Sequence, residues 1–172
     1  MFLAIQSVGD IWNAVCEELK NSEFDVTKVT NKTTKRKYMA IVTGSIGHNL
    51  GKINAPIARD PNNRQKMAIV EGGKEAITHF KVLERFEKNT LVEVKLETGR
   101  THQIRVHLAQ IGYPIVGDFV YSNGKNPFGV EGQMLHSKKL EFVHPTSKEK
   151  MVLEAPLPKY FQDILNILDK EI

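Results

Sequence analysis

A chain of 172 residues, 41% hydrophobic and 26% charged, has room for one domain with a sizeable core and the composition of a soluble globular protein. It holds no apolar run near the roughly 18 residues of a membrane span, and the short apolar start Met1 to Ile5, without a basic flank, does not read as a signal peptide. The single cysteine, Cys16, excludes an internal disulfide and fits a reducing cytoplasm.

Cys16 lies between Val15 and Glu17 without the basic partner of a nucleophilic thiol, so it reads as a small buried hydrophobe. The net charge is +4 and the isoelectric point near 9.1, which suits a polyanionic partner. Lys28, Lys32, Lys35, Arg36 and Lys37 cluster, and so do Arg59, Arg64 and Lys66. Charge alone fits a solvated basic face equally well.

In chain order, Gly9-Asp10 signals a helix start, and Ile11, Ala14, Val15 and Leu19 follow at helical spacing. Asp10 reads as its N-cap. The polar, threonine- and lysine-rich stretch 21–34 is expected to be a loop. Tyr38 to Val42 is a short strand closed by Thr43-Gly44, and Lys52 to Ile57 a second one, ended by Pro56. Ile77 to Phe86 and Asn89 to Leu96 make the clearest hairpin, turning at Glu87-Lys88-Asn89. In its second strand Val92, Val94 and Leu96 alternate with Glu93, Lys95 and Glu97, giving one buried and one wet face.

After Thr98-Gly99 the period changes. Ile104, Leu108 and Ile111 recur at helical spacing, so Thr101 is expected to cap a helix that Gly112 ends. Leu140 to Val143 and Met151 to Ala155 predict a second hairpin around His144-Pro145-Thr146. Phe161, Ile164, Leu165 and Leu168 form the apolar stripe of a final helix packing on the sheet. No repeat or linker divides the chain, which reads as one α+β domain over residues 1–172.

The junction Leu96-Glu-Thr-Gly-Arg-Thr-His-Gln-Ile-Arg-Val-His-Leu108 is the most informative segment. It sets a strand end, a glycine turn and a helix start together and loads them with Arg100, His102, Gln103 and Arg105. A helix start favours anions. His102, Arg105 and Ala109 share one helical stripe, offset from the apolar one, so Arg105 can point into a cleft. His102 and His107 are wrongly spaced for two metal ligands on one helix face, and no metal site is expected. A serine–histidine–aspartate triad has no nucleophile elbow to stand on. Asp60 and Asp118 sit in turn sequences and are explained locally.

Nothing in those residues alone names a reaction. The run Thr98 to His107, with Gly112-Tyr-Pro-Ile-Val-Gly-Asp118 and Tyr121, resembles the signature of the large-subunit ribosomal (RluA-type) RNA pseudouridine synthases. The resemblance extends through Arg36 to Gly44, Ile53 to Arg59, Arg64 to Met67, Lys74 to Phe80, Leu135 to Phe142 with His144-Pro145, and Ala155-Pro156. It implies the pseudouridine synthase catalytic fold: a mixed, mainly antiparallel sheet flanked by helices, with a central basic cleft. It also implies isomerisation of uridine to its C-glycoside in structured RNA, ribosomal RNA first among candidates, without metal or cofactor and without a membrane.

By motif, Tyr38 matches the family's base-stacking active-site tyrosine and Arg105 the arginine that pairs with the catalytic aspartate. Leu135 matches an apolar pocket residue. Arg64, Arg100, His102 and Gln103 are expected to meet RNA or shape the pocket, while His136 and His144 are structural. The residue types suit the chemistry: a flipped uracil needs an aromatic face, and a carboxylate nucleophile needs a fixed, permanently charged partner.

The family's nucleophile sits in a segment ahead of an apolar strand that Met1 to Ile5 resembles, so the aspartate is expected to fall before Met1. The chain so read is an N-terminally truncated catalytic domain that binds RNA but makes no pseudouridine, with an exposed sheet edge that invites association. Arg105 would then turn to solvent or recruit another acid. Two other readings stay open: a non-catalytic RNA-binding module on the same fold, separated from the first by the coding sequence upstream of Met1, and a protein-interaction domain, favoured by absence of RNA binding at low salt.

Overall fold

The computed structural model of the chain describes residues 34–124, 126–143 and 148–171. The expected helix from Asp10, the stretch 21–33, Cys16, and the turn residues 144–147 lie outside them. The described chain forms strands β1 (Lys35–Thr43), β2 (Leu50–Asn54), β3 (Ile57–Arg59), β4 (Met67–Ile69), β5 (Ile77–Arg85) and β6 (Asn89–Leu96). Helix α1 (Gln103–Gln110), strands β7 (Leu135–Val143) and β8 (Lys150–Glu154), and helix α2 (Lys159–Leu168) follow.

Six strands make one sheet in the order β2-β5-β6-β1-β7-β8, and β3 and β4 make a separate two-stranded ribbon. Each pairing among the described residues is antiparallel. The β5–β6 hairpin falls where the alternation places it, closed by Phe86 N–H donating to the Asn89 carbonyl at 2.9 Å. The β7–β8 hairpin also forms, but β7 begins at Leu135, before the apolar alternation that predicted it.

Two local expectations are corrected. The single strand over residues 52–57 is two, β2 and β3, because Pro56 has no N–H to continue the ladder after Ala55 N–H donates to the Ala76 carbonyl at 3.1 Å. Beyond that break Ile57 exchanges both backbone bonds with Lys74, at 2.9 Å each. The cap of α1 is His102, not Thr101, and it has φ 55°, the left-handed region, with no side-chain capping bond. Histidine is among the non-glycine residues that tolerate this region, which recurs at functional sites.

Directly paired residues point to the same face of a sheet, so the register sorts the site residues. Tyr38 faces Val94 on one side and Ser137 on the other, and Ala40 faces Leu135. Val94 faces Phe80 and Leu96 faces Thr78. Tyr38, Leu135, Phe80 and Thr78 therefore share one face. Thr78 reaches α1 through its hydroxyl, so α1 covers that face. The core beneath includes Tyr38, Val92, Val94, Ile104, Leu108 and Met134, all buried. Phe161, Ile164 and Leu168 of α2 join the same core, as their spacing predicts.

The other face carries a cross-strand row, Lys52, His79, Lys95, Lys37, Lys139 and Glu154, one residue from each strand. Carboxylates interleave with it: Glu93 pairs Lys37 at 3.4 Å and Lys95 at 3.6 Å, and Glu154 pairs Lys139 at 2.9 Å. The row is a neutralised surface. Lys37, counted in the sequence with the basic cluster, belongs to it, while Lys28 and Lys32 lie outside the described residues.

Candidate active site and nucleic-acid interface

The turn from β6 into α1 is built around one amide. Gln103 is buried, and its Oε1 accepts from Thr98 Oγ1 at 2.8 Å and Arg100 N at 2.9 Å. Its Nε2 donates to the Ile77 carbonyl and to Thr78 Oγ1, both at 3.0 Å. All its hydrogen-bonding capacity is used, so Gln103 shapes the turn and offers nothing to a ligand. One turn on, His107 is fully buried. Its Nε2 lies 3.0 Å from the Ala55 carbonyl, which only accepts, so that nitrogen carries the proton and Nδ1 accepts from Thr78 Oγ1 at 2.9 Å.

Arg105 emerges one helical step away. Its Nε and Nη2 donate to Asp118 Oδ2 and Oδ1, both at 2.7 Å, a bidentate pair with the arginine side chain 13% exposed and the aspartate fully buried. Asp118 Oδ1 also accepts the Val120 and Tyr121 N–H groups, at 3.0 and 3.2 Å. The local explanation of Asp118 as a turn residue thus holds but is incomplete. Arg105 is thus paired with Asp118 rather than turned to solvent.

The aspartate is delivered by the return from α1. Gly112, at φ 88°, ends the helix, and Thr43 N–H and Val116 N–H then bind the Pro114 and Ile41 carbonyls along β1, each at 2.9 Å. Gly117 precedes Asp118 at φ 73°, and a Cβ there would stand 2.4 Å from the Gly132 carbonyl oxygen. Only glycine fits that turn. Burial pushes the Asp118 carboxyl up, but the Arg105 guanidinium and the two N–H donors outweigh it and hold it below the ordinary carboxylate range. The hydrogen bond that Arg105 donates to Asp118 in turn raises the arginine.

Tyr121 closes the site. The Arg105 guanidinium carbon lies 5.0 Å from its ring centroid, and the His102 ring meets it edge-on at 5.8 Å. Its hydroxyl accepts the Met67 N–H at 2.9 Å and shares a hydrogen bond with His102 Nδ1 at 3.0 Å. In the sequence Tyr121 is marked only as part of the motif that runs from Thr98.

Beside this cluster runs a groove of about 500 Å³ between the β3–β4 ribbon and the β6–α1 turn. Arg59, Lys74 and Arg100 line it with no carboxylate among its walls. Arg100 is steadied by Nε donating to the Glu75 carbonyl at 2.8 Å, and an Arg59 Nη1 bond to the Arg64 carbonyl braces the ribbon's loop. Arg64 stands in that loop, exposed. Of the residues singled out in the sequence, the structure gathers His102 and Arg105 into one cluster, with Arg100 at the neighbouring groove. It sets Tyr38 and Leu135 together on the sheet face that α1 covers. Tyr38 is only 5% exposed, and its burial raises its phenol, with Arg36 opposing.

Burial lowers His102, His107 and His136 below the ordinary histidine range, with the Arg105 charge also lowering His102. A depressed folded value means stability present above the unfolded value of about 6.5 and lost as pH falls through the folded values. The melting temperature is therefore expected to fall between pH 7 and pH 5. Calorimetry across that window checks this; a flat profile, or one rising toward pH 5, refutes it.

The pattern of the RNA pseudouridylate synthase family matches residues 14–110. A Bacillus subtilis protein named as an uncharacterised RNA pseudouridine synthase, YlyB, is 50% identical over 145 residues, 84% of this chain and 48% of that one. Ribosomal large subunit pseudouridine synthase D of Neisseria meningitidis (serogroup A) is 44% identical over 157 residues, 85% of this chain and 42% of that one. The chain thus spans about half the length of these relatives. The solved structure of human RNA pseudouridylate synthase domain containing 1 superposes with a TM-score of 0.65 at 23% identity, over 95% of this chain and 73% of that one, which shows the fold. The chain belongs to the RNA pseudouridylate synthase family, in its RluA-type branch.

Proposed function

We propose that this protein isomerises uridine to pseudouridine in structured RNA, with large-subunit ribosomal RNA as substrate. The observation that carries the reading is the fixed guanidinium of Arg105 beside a groove whose charged lining residues, Arg59, Lys74 and Arg100, are all cations. Asp118 occupies the Nε–Nη2 edge of the fork, and among the described residues nothing binds the other edge. A guanidinium presents five donors in a rigid plane, so the free edge can hold a second carboxylate ionised as a nucleophile. Tyr38, only 5% exposed here, and Leu135 would receive the extruded base once the face they share is uncovered. Arg59, Lys74 and Arg100 would hold the backbone on either side.

Asp118 does not serve as the nucleophile itself. Oδ2 is held by Arg105, and Oδ1 accepts three donors, so attack would cost the carboxylate its whole shell. Asp60 is likewise engaged, its Oδ1 accepting the Asn62 and Asn63 N–H groups. These 172 residues are therefore expected to bind RNA without using either aspartate as the nucleophile. The test incubates them with unmodified ribosomal RNA and maps pseudouridine by chemical labelling, beside a chain extended through the upstream coding sequence. Turnover only in the extended chain supports the reading. Turnover by the 172 residues that Asp10→Ala abolishes makes Asp10 the nucleophile. RNA binding without turnover in either chain favours a non-catalytic RNA-binding module.

A further inference from the structure

The β3–β4 ribbon carries the cations Arg59, Arg64 and Lys66 at its tip but shares no ladder with the main sheet. Its base is fastened by Ile57 and Lys74 and by Val70 N–H donating to the Pro56 carbonyl at 3.1 Å. Its tip needs a separate hold. Arg59 pairs with Met67 as the last rung before the loop, and Met67 N–H is the donor that Tyr121 receives. The side chain of the same tyrosine touches His102 and stacks against the Arg105 guanidinium, while its backbone N–H goes to Asp118. One residue thus contacts the ribbon tip, the start of α1 and both members of the ion pair.

We infer that Tyr121 is the positioning residue that registers the basic tip of the ribbon against Arg105, so that backbone-holding cations and the site act at a fixed separation. Without its hydroxyl, Met67 N–H loses its acceptor at the rung adjoining the loop. The ribbon's apolar contacts, Ile57 with Met67, Ile69 and Tyr121, keep it folded but do not fix the loop's distance from Arg105. Met67 N–H has the hydroxyl oxygen as its acceptor, and His102 Nδ1 lies 3.0 Å from that oxygen. His102 holds that ring nitrogen in place through its left-handed backbone, φ 55°.

This inference rests on the proposed RNA reading for its consequence but not for its geometry, and the test separates the two. Tyr121→Phe keeps the ring and removes only the hydroxyl. Amide exchange of Met67 should quicken by about 3- to 10-fold, the loss of one hydrogen bond, while β5–β6 amides stay unchanged. Affinity for an unmodified ribosomal RNA fragment should fall by about the same factor. In an Arg59→Gln/Arg64→Gln/Lys66→Gln background, the same change should then have an effect under about 2-fold, because coupled residues are non-additive. Unchanged Met67 exchange overturns the inference, and so does an effect of Tyr121→Phe that persists in full without the cations. If the unaltered chain does not bind RNA, the proposed function fails, and Met67 exchange still decides the link.

Discussion

Asp118→Ala lowers the free energy of unfolding by about 2–4 kcal/mol, the range for breaking a buried ion pair, discounted because the arginine is partly exposed. The side chains are 13% and 0% exposed, so the arginine left behind keeps only part of its solvation. The alanine also strips the acceptor from the Val120 and Tyr121 N–H groups. Asp118→Asn separates the two effects, since the amide oxygen can still accept those N–H groups while the charge is gone. Adding Arg105→Met to Asp118→Asn should then restore stability, because the unpaired charge is what the single change strands. Urea unfolding of the three variants decides it. If Arg105→Met costs further stability in the Asp118→Asn background, the pair is not what holds this turn.

The same pair gives a signature in acid. The folded value of Asp118 is depressed, so its contribution is complete above the unfolded carboxylate value of about 4 and lost as pH falls through the folded value. The original chain should lose stability there faster than Asp118→Asn, which has no carboxyl to protonate.

Local pattern carried much of this fold. Alternation over 89–96 marked β6 and its wet face, the stripe Phe161, Ile164 and Leu168 marked α2, and Gly112 marked the end of α1. β4 escaped because a strand of three half-buried residues shows no period, and its place comes from pairing with β3. The cap of α1 was misassigned because Thr101 has the better side chain, whereas the position is decided by a backbone bent to φ 55° and held from Tyr121. The chemistry shows the same division. Arg105 stood out from its motif and its offset from the apolar stripe. That its partner is Asp118, 13 residues on, depends on the return of 114–116 along β1 and on Gly117, neither of which periodicity encodes. The fate of His79 and Lys95, drawn into a neutralised row, likewise needs the six-strand register.

Net charge suits a polyanion, and the structure separates two lysine- and arginine-bearing surfaces. Neutralised by Glu93, Glu97, Glu141 and Glu154, the wet sheet face has little to offer phosphates. The groove of Arg59, Lys74 and Arg100 has no such acids. Arg59→Gln/Lys74→Ala/Arg100→Gln is therefore expected to make the salt dependence of RNA affinity shallower by about 2 to 3 in log–log slope, since each phosphate contact contributes about 0.7 to 0.9. Near 0.1 M salt the same arithmetic gives an affinity loss on the order of 100-fold or more. The control is Lys37→Ala/Lys95→Ala/Lys139→Ala, which removes the same formal charge from the paired row and should leave the slope nearly unchanged. Filter binding or anisotropy with one ribosomal RNA fragment, titrated at several salt concentrations, compares the two triples. Equal losses would mean that RNA responds to total charge rather than to this groove, and a steeper loss from the sheet row would move the interface to the opposite face of the protein.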